Sequence, residues 1–319
     1  MELRSLGTSE VKITPIIMGT WQAGRDMWTD IDDTETTRAI QVAIDAGINT
    51  IDTAAVYGKG HSEKVVGQAV AECRQQVVLA TKVFANELQY DQVIAACERS
   101  LANLNTDYID LYQIHWPSGA FGSPVVPIEE TMRALNDLKD QGKIRAIGVS
   151  NFSRSQLEEA MAYGDIVSLQ PPYSLIWRHV EADAMPLCAA KGLSILAYSP
   201  MAQGILTGKF GPDHQFKRGD HRRANRLFQE PVFARVQQAL AALRPIAARH
   251  DITSGQLALA WVIAQPGACA IAGARNETQA RENARAVDVS LTSEDLAAMD
   301  RISRQVTDHL DDDPVLWKW

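Results

Sequence analysis

The chain has 319 residues, 46% hydrophobic and 22% charged, with a formal net charge of −8 from 31 basic and 39 acidic side chains. Those proportions exclude a disordered chain, and the length suits either two average domains or one large α/β barrel of roughly 250 residues with extensions. The acidic balance argues against non-specific nucleic-acid binding and against docking on an anionic membrane, because both need clustered cations.

No apolar run reaches the ~18 residues needed to span a bilayer, and Met1–Gly7 lacks an apolar signal core. Cys73, Cys97, Cys188 and Cys269 lie far apart with no CxxC pair, so neither a disulfide scaffold nor a metal site is expected. The reading is a soluble, cytoplasmic protein in a reducing compartment.

In chain order, 2–6 and 11–14 flank Gly7-Thr8-Ser9 and predict a hairpin. A first strand follows at 15–19, then a helix over 34–46 that Asp32 or Asp33 can cap and Gly47 can close. Strands at 49–53 and 77–83 precede a helix over 91–104. A strand at 109–115 leads to a helix over 128–141, between Pro127 and Gly142, with Ile128, Met132, Leu135 and Leu138 on one face. Strand 145–150, helix 153–163, strand 167–170, helix 182–191 and strand 193–198 continue the alternation. The polar, Arg- and His-rich stretch 208–230 is long enough to be a functional cover or a mobile segment. Helices over 231–250 and 254–264, a strand at 269–273 and a further helix carrying Gln279, Glu282 and Asn283 complete the pattern. The tail 311–319, with Trp317 and Trp319, reads either as a frayed end or as a flap over the barrel mouth.

Eight strands, nearly all followed by a helix and several continuously apolar, predict the α/β class: a closed (β/α)8 TIM barrel. It would be a single domain over 1–319, with an N-terminal β-hairpin and long loops at its C-terminal face. Active sites of such barrels sit at the C-terminal strand ends. Those ends are Thr20-Trp21, Asp52-Thr53, Lys82, His115, Ser150-Asn151, Gln170, Tyr198-Ser199 and Gly273-Ala274-Arg275.

Asp52, Lys82 and His115 end three successive strands, and Tyr57 lies in the loop after Asp52. Together these types make a proton-transfer unit. Lys82 can supply a cation that lowers the phenol pKa, and Asp52 can keep the buried ammonium charged. His115 can hold a carbonyl oxygen while Tyr57 delivers a proton to it.

The runs Ile51-Asp52-Thr53-Ala54-Ala55-Val56-Tyr57-Gly58, Gly60-His61-Ser62-Glu63, Thr81-Lys82 and Gln113-Ile114-His115 resemble signatures of the aldo-keto reductase superfamily. The resemblance continues through Gly142-Lys143-Ile144-Arg145-Ala146-Ile147-Gly148-Val149-Ser150-Asn151-Phe152, Tyr198-Ser199-Pro200 and Ile271-Ala272-Gly273-Ala274-Arg275. It covers most of the chain in order, and the 204–230 region is similar to bacterial general-stress or sugar-related members.

The resemblance implies NADP(H) bound without a Rossmann motif, and no GxGxxG follows a strand. It places Ser150, Asn151 and Gln170 at the nicotinamide carboxamide and Tyr198 under the ring. Ser199, Pro200, Met201, Gly204, Leu206 and Gly208 would line the pyrophosphate, and Gly273, Arg275, Asn276, Gln279, Glu282 and Asn283 the adenosine end. Ala272 stands where many relatives have proline and Gln279 where many have arginine, which leaves the strength of NADP over NAD preference open. Trp21 and Trp116 are expected in the carbonyl pocket, while Trp28 could line it or simply pack on the rim.

The implied activity is NADPH-dependent reduction of aldehydes or ketones, with Tyr57 as general acid and a small carbonyl compound or sugar as substrate. Alternatives are a sugar or polyol dehydrogenase working oxidatively at the same site, a redox-sensing accessory subunit, and a Schiff-base lyase using Lys82.

Overall fold

The computed structural model describes residues 1–26, 28–311, 313 and 315–316. Ten strands are described: β1 (Arg4–Ser5), β2 (Lys12–Ile13), β3 (Ile16–Gly19), β4 (Thr50–Asp52), β5 (Val78–Val83), β6 (Ile109–Ile114), β7 (Ile144–Ser150), β8 (Ile166–Gln170), β9 (Ser194–Ala197) and β10 (Ala268–Gly273). Strands β3 to β10 close into a parallel barrel in the order β10-β3-β4-β5-β6-β7-β8-β9. The expected TIM barrel is therefore present, and each barrel strand falls within one residue of its sequence-predicted ends.

The helices are α1 (Asp33–Asp45), α2 (His61–Ala69), α3 (Tyr90–Leu104), α4 (Ile128–Asp140), α5 (Arg154–Met161), α6 (Met185–Lys191), α7 (Val232–Arg249), α8 (Ser254–Ile263), α9 (Glu277–Arg285) and α10 (Ser293–Thr307). Two of them, α2 and α10, lie outside the segments read as helical. Helix α2 carries Gly67, a poor helix former, because a Cβ there would meet the Leu104 carbonyl oxygen at 2.5 Å. Helix α10 follows no strand, so the βα alternation gave no reason to expect it.

Side-chain alternation along the strands builds two cores and positions the site. On β5, Val78 and Ala80 face the barrel interior, while Leu79 and Val83 pack against the helices. Lys82 shares the parity of Val78 and Ala80, so it enters the barrel above them. On β6, Leu111 is interior, and Gln113 and the following His115 share its parity. The antiparallel pair β1–β2 brings Leu6 and Ile13 into the same interior cluster and plugs the end opposite the site.

The stretch 208–230 contains only short 3-10 turns at His221–Ala224 and Arg226–Phe228. Its Arg226 backbone N–H donates to the Leu316 carbonyl at 2.8 Å, and Leu316 is buried. Trp317 and Trp319, on which the flap reading of the tail rests, lie outside the described residues. No described helix is long and apolar enough to cross a membrane.

Candidate active site

A cavity of about 1080 Å³ opens at the C-terminal ends of the barrel strands. Its wall includes Trp21, Asp52, Tyr57, His115, Trp116, Ser150, Asn151, Gln170, Tyr198, Ser199, Pro200, Met201, Gly204, Gly273, Arg275, Gln279, Glu282 and Asn283, all expected from the sequence. Four expected residues stand off the wall: Lys82, which is buried beneath it, and three others. Leu206 is buried in the main apolar core, Gly208 is the left-handed cap of a short turn, and Asn276 caps α9 by accepting from the Gln279 N–H. Trp28 lines the cavity rather than only packing on the rim.

The four residues expected to form a proton-transfer unit converge. Lys82 is fully buried, and its Nζ donates to Asp52 Oδ1 at 2.7 Å and to the Thr53 carbonyl at 2.8 Å. The same ammonium lies 5.2 Å from the centre of the Tyr57 ring. His115 is wedged edge-on between Tyr57 and Phe84, with ring centroids 5.7 and 5.6 Å away.

The placement of Tyr57 follows from local backbone contacts. Its carbonyl accepts from the Ser62 N–H at the start of α2, and its own N–H donates to the Ala54 carbonyl. Asn151 Nδ2 in turn donates to the His115 carbonyl at 3.0 Å, fixing the histidine backbone.

The electrostatics differ from the sequence expectation at one point. Tyr57 was expected to be acidified by Lys82. Instead burial, followed by the negative charge of Asp52, raises its phenol well above the ordinary value. The reason is that Asp52 neutralises Lys82 at 2.7 Å, so the phenol faces an ion pair rather than a bare cation. Burial lowers Lys82, opposed by Asp52. Burial, then the Lys82 charge, holds His115 well below the usual imidazole range, so the ring is neutral. Its Nδ1 is buried without a hydrogen-bond partner among the described residues. A buried N–H without an acceptor is costlier than an unused lone pair, so the proton belongs on Nε2.

The amide side chains are largely committed. Asn151 Oδ1 accepts from the Tyr198 hydroxyl at 2.9 Å, and its Nδ2 also donates to Ser150 Oγ. Ser150 Oγ donates to the Gln170 carbonyl. Gln170 Nε2 donates to Asp52 Oδ2 at 2.8 Å. What remains for a ligand is acceptor oxygen, including Gln170 Oε1, which suits the NH₂ of a carboxamide.

Beyond Tyr198 the chain turns through left-handed residues at Ser199 (φ 53), Ala202 (φ 47), Gln203 (φ 56) and Gly204 (φ 91). Such turns gather backbone N–H groups into anion-binding concavities. Gln203 is buried in the cavity wall, with Oε1 taken by Asn225 and Nε2 without a partner among the described residues, a donor available to a phosphate oxygen. Arg275, Lys209 and Arg222 all line the cavity and feel one another's charge. Arg275 and Arg222 each lie 5.1 Å from Trp28, whose edge meets Trp21 at 5.3 Å.

Sequence reasoning missed Gln203, Lys209 and Arg222; the Arg-rich character of 208–230 was the available signal. Phe84 and Phe121 were also missed. They stack on each other at 5.7 Å, and Trp116 meets Phe121 edge-on at 5.0 Å, completing an aromatic cup beside His115.

The Aldo/keto reductase family profile matches residues 15–304. The chain is 35% identical over 317 residues to the NADH-specific methylglyoxal reductase of Escherichia coli, covering 92% of this chain and 96% of that one. The glycerol dehydrogenase structure from Gluconobacter oxydans superposes with a TM-score of 0.88 at 34% identity, covering 97% of both chains. An aldo/keto reductase structure from Klebsiella pneumoniae in complex with NADP and acetate superposes with a TM-score of 0.76 at 32% identity, covering 92% of this chain and 93% of that one. With the barrel, the strand-end tetrad and a match spanning most of its length, the chain belongs to the Aldo/keto reductase family.

Proposed function

We propose that the chain reduces aldehydes or ketones to alcohols with NADPH, Tyr57 being the general acid. The observation that carries this reading is the buried Lys82–Asp52 pair at 2.7 Å, beside Tyr57 and His115 in a cavity of about 1080 Å³, room for a dinucleotide and a small carbonyl compound.

The residues present fit that cofactor. The acceptor oxygens of Gln170 and Asn151 suit its carboxamide NH₂, and Gln203 Nε2 and the left-handed turn suit its pyrophosphate. Arg275, with Lys209 and Arg222 nearby, supports a 2′-phosphate and so favours NADPH over NADH. Gln279 Oε1 accepts from the Arg275 backbone N–H at 2.9 Å, holding the arginine loop. When bound, NADPH supplies a hydride from its nicotinamide C4.

His115 Nε2–H orients and polarises the carbonyl oxygen. Tyr57 delivers its proton to that oxygen as negative charge develops there. An alkoxide is about as basic as hydroxide and far more basic than a phenolate, so the phenol needs no lowering below its ordinary value to serve as donor. Asp52 keeps Lys82 charged, and the ammonium stabilises the phenolate left behind. The cup of Trp21, Phe84, Trp116 and Phe121 keeps water from the reacting carbon.

Oxidation of a polyol by the same residues in reverse is the second reading, favoured by the 0.88 TM-score to the glycerol dehydrogenase. Cofactor absorbance is followed with methylglyoxal, other short aldehydes, ketones and sugars, and with glycerol in the oxidative direction, using both cofactors. Reduction of a short aldehyde with NADPH is expected. Failure of every carbonyl and every polyol would overturn the reading.

A further inference from the structure

Gln113 is fully buried inside the barrel, yet it is neither in the proton-transfer unit nor on the cavity wall. A buried amide in a barrel interior costs free energy unless its hydrogen bonds are made. Its bonds lead to the catalytic centre. Gln113 Nε2 donates to Asp52 Oδ2 at 3.4 Å. Gln170 Nε2 donates to the same oxygen at 2.8 Å and to Gln113 Oε1 at 3.3 Å. An ionised carboxylate only accepts, so both amides must present nitrogen to Asp52, and their orientation is fixed. That leaves Gln170 Oε1 as the atom available to the cavity.

The fold makes room for this triangle. A Cβ on Gly148 of β7 would sit 3.1 Å from Gln113 Cγ and 2.5 Å from Ser168 Oγ. Gly148 and Gln113 are paired in register across β6 and β7, so the missing side chain on one strand accommodates the amide on the other.

We propose that Gln113 is a positioning residue, bracing the Asp52 carboxylate and the Gln170 amide against each other so that the proton-transfer unit and the nicotinamide-facing oxygen keep one geometry. The proposal rests on Tyr57 being the acid–base group.

Its electrostatic consequence has a sign. Asp52 faces Lys82 from β5, Tyr57 from its own loop, and the amides of β6 and β8. Glu63 of α2 adds a second negative charge near Lys82, while His115 and Tyr198 are the other titratable groups around Tyr57. N–H donors on Oδ2 offset part of the carboxylate charge that raises the phenol. Removing one raises the phenol further and makes the phenolate needed for alcohol oxidation harder to form.

The test is Gln113→Met, close in length and without polar hydrogens. It is read by the pH profile of kcat for alcohol oxidation, the alcohol KM and the NADP(H) dissociation constant from protein fluorescence. The expected result is an alkaline shift of the oxidative limb by about one pH unit and kcat at neutral pH lower by about tenfold, with alcohol KM unchanged. Cofactor affinity should fall about threefold as Gln170 loses its brace. Should Gln113→Met fail to fold, Gln113→Leu, which also lacks polar hydrogens, is read in the same way and should give the same alkaline shift. A folded variant with the parent's pH profile and cofactor affinity would overturn the proposal. Parent-like turnover in Tyr57→Phe would instead overturn the functional reading beneath it, so the two failures are distinguishable.

Discussion

A Cβ on Gly24 would lie 2.6 Å from the carbonyl carbon of Tyr57, so the turn after β3 and the Tyr57 loop after β4 meet through bare backbone. Gly58, with φ +61, faces the Gly24 carbonyl oxygen in the same contact. The phenol's position therefore depends on residues with no chemistry of their own. Gly24→Ala should push the Tyr57 loop outward. Misplacing a catalytic group by about 1 Å can cost on the order of 100-fold. Carbonyl-reduction kcat should fall by about 10- to 100-fold, with about 1–3 kcal/mol of stability lost to overpacking. Steady-state kinetics and urea unfolding check both; an unchanged kcat would contradict the steric account.

Lys82→Met removes the cation and leaves Asp52 buried with amide donors but no opposite charge. Breaking a buried pair from one side typically costs about 3–5 kcal/mol. The variant should unfold at clearly lower urea concentration and lose carbonyl reduction. Lys82→Met combined with Asp52→Asn should recover part of the stability but none of the activity. Full additivity of the two single losses would argue that the pair is not coupled.

The directions of the Tyr57 and His115 shifts set the pH behaviour. The raised phenol is protonated, and so competent as an acid, throughout the neutral range. His115, lowered well below the usual imidazole range, is already neutral there. Reduction should therefore show no step near pH 6.5, the ordinary imidazole value. Oxidation needs phenolate and should rise about tenfold per pH unit without levelling off below pH 10. A reductive profile that titrates between pH 6 and 7 would indicate a protonated His115 and contradict the lowered imidazole.

Arg275 is the side chain proposed for the 2′-phosphate. Arg275→Ala should weaken NADPH by about 10- to 100-fold, the loss of one charge-assisted pair, and NADH by less than about threefold. Fluorescence titration with both cofactors measures the difference, and equal losses would remove Arg275 from phosphate recognition. Lys209→Ala removes a second positive charge beside Arg275 and should likewise weaken NADPH more than NADH.

Much of this was legible because barrel strands announce themselves. The apolar runs ending in Asp52, Lys82 and His115 marked both the strands and the polar ends that the fold brings together. The inward direction of Lys82 came only with the structure, where it shares the parity of the interior residues Val78 and Ala80. Gln113 and Gly24 were not legible. Their roles depend on contacts with Asp52 and Tyr57 that arise only when distant segments meet. Lys209 and Arg222 lie in the stretch 208–230, read only as a cover or a mobile segment, and the folding of that stretch against Trp28 brings Arg222 to the cavity. The direction of the Tyr57 shift was misread because sequence shows which charges are present but not how completely Asp52 cancels Lys82, nor how dry the phenol is.

Replacing Tyr57 by Phe removes one oxygen and little else, which makes it the sharpest measurement. Carbonyl-reduction kcat should fall by about 1,000-fold or more, while the NADPH dissociation constant stays within about twofold of the parent. Near-parental turnover by the folded variant, with cofactor bound, would mean that another group supplies the proton and that the tetrad does not work as described.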